Sequence, residues 1–218
     1  MTTEIENTGS AIVRSVCNSE IKDVAVDVGE LGLGVIFDSE ILKEIPAIKT
    51  IIACRKTWES IHDQLFLRKV QIFLSVDPKF STQQGEQFLK SLDENTQAKK
   101  LFESIVLILD RIDDMEKPIM LKKAFAPLVR KEIEYETFRR IAAAIQNGFL
   151  EDLKELSSLN YASPVSTAGK VKPQLKLYFN LMQTGLTGPK NSSGTTMILG
   201  VSYQITELGK VFIKCMSQ

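Results

Sequence analysis

The run Asp110-Arg111-Ile112-Asp113-Asp114-Met115-Glu116 places four carboxylates within seven residues. Carboxylate oxygens are what a hard cation such as Mg²⁺ requires, and on a helix Asp110, Asp113 and Asp114 share one side. Arg111 and Lys117 stand beside them, however, and no second acid cluster follows at a fixed offset. Acids between two helices are ordinarily solvated caps and ion pairs. His62 is the single histidine. A Ser-His-Asp triad would have to use it, and a zinc site would need cysteines clustered near it, which it lacks. Gly29-Glu30-Leu31-Gly32-Leu33-Gly34 has the glycine content of a phosphate loop without the spacing GxGxxG or a terminal Gly-Lys-Ser/Thr. Gly188-Pro189-Lys190-Asn191-Ser192-Ser193-Gly194 reads as a hairpin tip. These patterns predict a non-enzymatic chain with no catalytic set, no metal site, no cofactor and no small-molecule substrate.

Lysines are more informative by position than by number. The 218 residues carry 27 bases and 27 acids, so net charge selects no partner. Residues 1–50 hold nine acids against four bases, whereas within 159–218 Glu207 stands alone against six lysines. A basic C-terminal end fits phosphate contacts, which need clustered cations. Three cysteines without a CxxC leave one unpaired in any scheme, which fits a reduced compartment. The opening MTTEIENTGS lacks the basic and apolar regions of a secretory signal. No apolar run reaches the roughly 18 residues of a membrane span. A cytoplasmic location is the expectation.

The elements that must position these residues are mainly helical. The first ten residues read as disordered, and residues 11–28 fit a helix and short strands equally well. Asp38 or Ser39 can cap a short helix, and Pro46 suits the first turn of a long one with Ile48, Ile51, Ile52, Arg55, Trp58, Ile61, Leu65 and Ile72 on its stripe. Ser81-Thr82-Gln83-Gln84 is a capping-box pattern opening a helix with Phe88, Leu89 and Leu92 buried. Leu101, Phe102, Ile105, Ile108, Leu109 and Ile112 mark the next helix. Pro118 starts another, with Leu121, Ala124, Phe125 and Leu128, and 135–147 follows with Phe138, Ile141, Ala142 and Ile145 before the stop Asn147-Gly148. The expected organisation is an acidic, glycine-interrupted region over 1–38, an α-helical bundle over 39–134 and a distinct module over 135–218.

In that module, helices over 135–147 and 150–158 precede a long polar turn over 159–171. A third helix over 172–186 follows, with Leu175, Tyr178, Phe179 and Met182 as its buried stripe and Lys172, Lys176, Asn180 and Gln183 outside. A hairpin comes next, then Tyr203-Gln204-Ile205-Thr206-Glu207-Leu208-Gly209, in which Thr206 can cap a closing helix. This order and the phrase Tyr-x-Ile-Thr-x-x-Gly resemble the winged helix-turn-helix superfamily. The resemblance implies a C-terminal winged-helix-like module with a β-hairpin wing, and a nucleic-acid-binding ancestry with the third helix in the major groove. That helix has no arginine, so bidentate base readout is missing. Upstream, Ile105–Met115 and Phe138–Ile145 resemble a poorly characterised group of bacterial helical proteins, some associated with phage defence or mobile elements.

The first functional expectation is a protein-interaction or regulatory component, with a protein partner or self-association. The second is a DNA-binding regulator using Lys170, Lys172, Lys176, Asn180 and Lys190. The third is a membrane-associating effector through residues 31–58, where Leu33, Ile36, Phe37 and Trp58 would meet a partner or the bilayer interface.

Overall fold

The computed structural model describes residues 2–17, 45–54, 61–77, 79–93, 97–156, 165–166, 173–189 and 202–218. They are mainly helical, with a small antiparallel sheet, and cluster into two compact units, Met1–Phe138 and Arg139–Gln218. The N-terminal unit contains α1 (Thr2–Cys17), α2 (Pro46–Cys54), α3 (Ile61–Ser75), α4 (Thr82–Asp93), α5 (Gln97–Arg111) and α6 (Lys117–Val129). Helix α7 (Tyr135–Asn147) starts in it and runs into the C-terminal unit. There follow α8 (Leu150–Leu156), β1 (Val165–Ser166), α9 (Pro173–Met182), β2 (Thr187–Pro189), β3 (Ser202–Ile205) and α10 (Glu207–Met216).

The start of the chain overturns its expectation of disorder: α1 begins at Thr2 and packs on α5, α2 and α4. Polar composition misleads there because the polar residues on its inner side are small. Thr8, Gly9 and Ser15 are buried together with Ile12, Val13, Val16 and Cys17. A Cβ at Gly9 would overlap the Phe102 carbonyl of α5, so glycine is what lets the two backbones meet. The Ser15 hydroxyl accepts the Ala47 N–H at 3.1 Å, satisfying one of the free donors that open α2 behind Pro46. Residues 18–44, including the proposed cap at Asp38 or Ser39, lie outside the described residues.

The single stripe drawn through 48–72 does not hold. Ile48, Ile51 and Ile72 are buried, but Ile61 is 76% and Leu65 40% exposed. Burial in α3 instead begins at Phe66 and takes in every residue from Lys69 to Ser75. A helical register carried across 55–60, which lie outside the described residues, misassigns the side of α3 that faces inward.

Capping at α4 follows the sequence reading: Ser81 N–H donates to Gln84 Oε1 at 2.8 Å and Gln84 N–H to Ser81 Oγ at 3.2 Å. Phe88 and Leu92 are buried, with Leu89 half-buried. The α5 stripe is buried at every expected position from Leu101 to Ile112. Helix α6 goes further, burying ten of its residues, among them Lys117 and Lys122. Its Phe125 ring makes edge contacts with Phe73 of α3, Phe88 of α4 and Phe138 of α7, at centroid distances of 6.0, 5.9 and 5.9 Å.

In the C-terminal unit the stretch read as an unbroken polar turn contains β1, which pairs antiparallel with β3 through Val165–Tyr203 and Ser166–Ser202. Strand β3 also pairs with β2, from Thr187–Ile205 to Pro189–Tyr203, giving the order β1-β3-β2.

Gly9 offers a clear contest of effects. Helix propensity alone would make Gly9→Ala stabilising by about 1 kcal/mol. The clash with Phe102 dominates, and we expect a loss of about 1–3 kcal/mol, read as a lower urea midpoint at unchanged m-value.

Candidate functional site

The phrase Tyr203–Gly209 turns out to be a joint. Tyr203 and Ile205 point inward from β3, and Gln204 points out. Thr206 N–H donates to the Leu186 carbonyl at 3.0 Å. Its hydroxyl donates to Gly185 O at 2.7 Å and accepts Gly209 N–H at 3.0 Å, capping α10. Gly209 is required at that spacing because a Cβ there would strike the Leu186 carbonyl. Gly185 has φ +76°, the left-handed value that ends α9. Buried Thr187 closes the joint by donating its hydroxyl to Tyr178 O at 2.6 Å. A short stretch of β3 and α10 thus fixes where α9 ends and where β2 begins.

What α9 presents differs from the predicted stripe. Leu177, Tyr178 and Leu181 are buried, while Phe179 is 43% and Met182 41% exposed. The side chain of Leu175 lies outside the described residues. The helix is apolar around most of its circumference, so two registers of the 3.6 period fit its sequence, and packing selects the other one. Phe179 lies against the Tyr203 ring at 4.7 Å with the planes tilted by 55°. Among the proposed nucleic-acid contacts, Lys176 and Asn180 are exposed on α9, and Gln183 is exposed in the turn just after it. The Asn180 amide, however, donates to Asp152 Oδ2 of α8 at 3.0 Å, which holds a carboxylate beside this face. Lys170, Lys172 and Lys190 lie outside the described residues, as do Leu33, Ile36, Phe37 and Trp58.

Elsewhere the candidate chemistry resolves into structural pairings. His62 is an exposed side chain 3.6 Å from Asp110. Asp113 pairs with the buried Lys117, whose hydrogen bond holds the carboxyl below the usual range. Asp114 accepts Glu116 N–H at 2.7 Å. The acidic run is thereby divided among different partners, and among the described residues no group of three or more candidate ligands converges on a metal position.

Besides Lys117, two buried lysines went unnoticed in the sequence, although the spacing carries them. Lys69 falls with Phe66, Val70 and Phe73, and Lys122 with Leu121 and Phe125, at i, i+3, i+4 intervals. Lys69 donates to the Asp110 carbonyl at 2.8 Å, satisfying an open acceptor in the last turn of α5. Burial lowers its pKa, against the pull of Asp110 and Asp113. Lys122 is 1% exposed, and burial takes it down to about 7.

A cleft of about 470 Å³ opens in the N-terminal unit, floored by Phe88, Leu92, Leu101 and Leu128, with Lys131 and Glu134 also lining it. Its size suits a small ligand. Glu132, on the same turn, is engaged by Arg130, which also donates to Lys79 O at 2.6 Å. No helix among the described residues is long and apolar enough to cross a membrane.

No protein-family model, curated protein or solved structure matches the chain.

The joint makes a prediction. Thr206→Ala should destabilise the C-terminal unit by about 1–2 kcal/mol through loss of the cap, and Thr206→Ser should retain most of it. Amide exchange at Gly209 and the first turn of α10 reports this directly, and unchanged protection in Thr206→Ala would show that the cap contributes nothing.

Proposed function

We propose that this chain acts by binding another protein, as an accessory or regulatory component, through a C-terminal winged-helix-like module used for protein recognition. What carries the reading is the surface composition of α9. Half-exposed Phe179 and Met182 share the exposed side of α9 with Lys176 and Asn180, where a nucleic-acid reader would place further cations. Asn180 is spoken for by Asp152, and residues 172–186 have no arginine. Exposed aromatic and methionine side chains serve as anchors in protein interfaces, where desolvation of an apolar side chain supplies the affinity.

The helix, hairpin and closing helix, joined through Thr206 and Gly209, support the winged-helix-like assignment within this proposal. The added strand β1 packs on β3 from the side opposite β2. A role in bacterial phage defence or a mobile element is carried into the proposal by the resemblance of Ile105–Met115 and Phe138–Ile145.

Duplex DNA provides the test. Fluorescence anisotropy with a random duplex at low salt should show binding no stronger than a weak non-specific association, unaffected by Lys176→Glu. Tight binding whose affinity falls about a thousand-fold or more between 50 and 200 mM salt, as expected for about six to ten phosphate contacts, would replace this reading with a DNA-binding one. Conversely, Phe179→Asp with Met182→Asp should abolish capture of the partner from the native cell while leaving the fold intact by circular dichroism.

A further inference from the structure

The cleft of the N-terminal unit is apolar at its floor and charged at its lip. Phe88, Leu92, Leu101 and Leu128 make the floor, and each is buried. The hydroxyls beside them are already engaged. Ser91 donates to the Phe88 carbonyl at 2.7 Å, and Tyr135 shares a hydrogen bond with Ser104 at 3.2 Å. At the lip, Glu132 is held by the Arg130 guanidinium. Among the described residues this leaves two charges of the lining without a side-chain partner, the exposed Lys131 ammonium and the exposed Glu134 carboxylate.

Lys131 also stands where the backbone favours a different residue. It follows α6 with φ +59°. Its N–H donates to Leu128 O at 3.0 Å, and the Glu132 N–H donates to Pro127 O at 2.8 Å. This is the paired-bond helix ending whose left-handed residue is usually glycine, because a Cβ is disfavoured there. Local structure therefore selects glycine at 131, and the chain carries a long cation instead. A disfavoured conformation kept at the lip of a cleft points to a use for that side chain.

We propose that this cleft binds a free amino acid with a large apolar side chain, its carboxylate on Lys131 and its ammonium on Glu134. The apolar side chain enters over Phe88, Leu92, Leu101 and Leu128. A sugar or a nucleobase would bury polar groups against that floor without partners, at a cost that apolar atoms avoid. The volume of about 470 Å³ falls in the range of small-ligand sites, roughly 300–1,000 Å³. Charge decides the head group. Lys131 and Arg130 offset Glu132 and Glu134, so an amphiphile of one sign gains at one lip charge and is repelled by the other. A zwitterion uses both. The site is independent of the α9 surface, since its lining residues all belong to the N-terminal unit.

Methyl chemical-shift titration of the full chain, labelled at leucine, tests this with three probes: L-phenylalanine, 3-phenylpropionate and phenethylamine. Phenylalanine should give saturable shifts at Leu92, Leu101 and Leu128. The other two lack one charge each and should bind about tenfold more weakly, the loss expected for one hydrogen bond to a charged group. Lys131→Gly and Glu134→Gln should each weaken phenylalanine binding by a similar factor. Lys131→Gly should at the same time raise the urea midpoint, because glycine suits the left-handed position. That split separates recognition from folding. No saturable shift at millimolar phenylalanine, as when another segment of the chain fills the cleft, would overturn the site. Phenylpropionate or phenethylamine binding as tightly as phenylalanine would overturn the zwitterion. Binding that survives Lys131→Gly, or a midpoint that falls in that variant, would overturn the role given to the lysine.

Discussion

The N-terminal unit is organised by the requirement that α6 be enclosed. Phe125 meets a ring from each of α3, α4 and α7, so all three helices approach α6 at this one side chain. A helix buried over most of its circumference leaves only the strip through Ile119, Met120 and Lys123 half-open to solvent for its polar residues. That is why Lys117 and Lys122 are buried, and why Asp113 is drawn to Lys117 instead of remaining in an open acidic cluster. Lys69 extends the pattern from α3, with its ammonium turned to the last turn of α5. The ionic features of this unit are consequences of enclosing one helix.

A different device governs the C-terminal unit. There the decisive interactions are backbone ones: Leu186 accepts the Thr206 N–H, and its carbonyl lies where any side chain at residue 209 would have to go. Close backbone approach fixes the end of α9, the start of β2 and the angle at which α10 leaves β3. With those fixed, Phe179 and Met182 are left half-exposed beside Tyr203. The surface proposed for recognition is set by a turn and a cap several residues away from it.

Much of the architecture was legible in the chain because the signals are local. Ser81 and Gln84 close their capping box over three residues, and the stripe from Leu101 to Ile112 repeats on one helix. Gly185 and Thr206 mark element ends through conformations their own chemistry favours. Reading failed where a partner element decides. The opening residues form a helix because Gly9 and Ser15 find Phe102 and Ala47, neither of which is near them in sequence. β1 exists because β3 accepts it.

The candidate site divides along the same line. By itself, the sequence determined that Lys176 and Asn180 share a helix, that this helix lacks arginine, and that Thr206 and Gly209 stand at the spacing of a cap and a close approach. Periodicity and capping act within a few residues, so they survive in one dimension. Only the tertiary structure decided which side of an almost wholly apolar helix is buried, and that Asn180 answers to Asp152. It also decided that Lys122 is buried against the ring of Phe73. Those outcomes depend on competition between faces of similar hydrophobicity, and that competition is settled by the shape of the neighbouring elements.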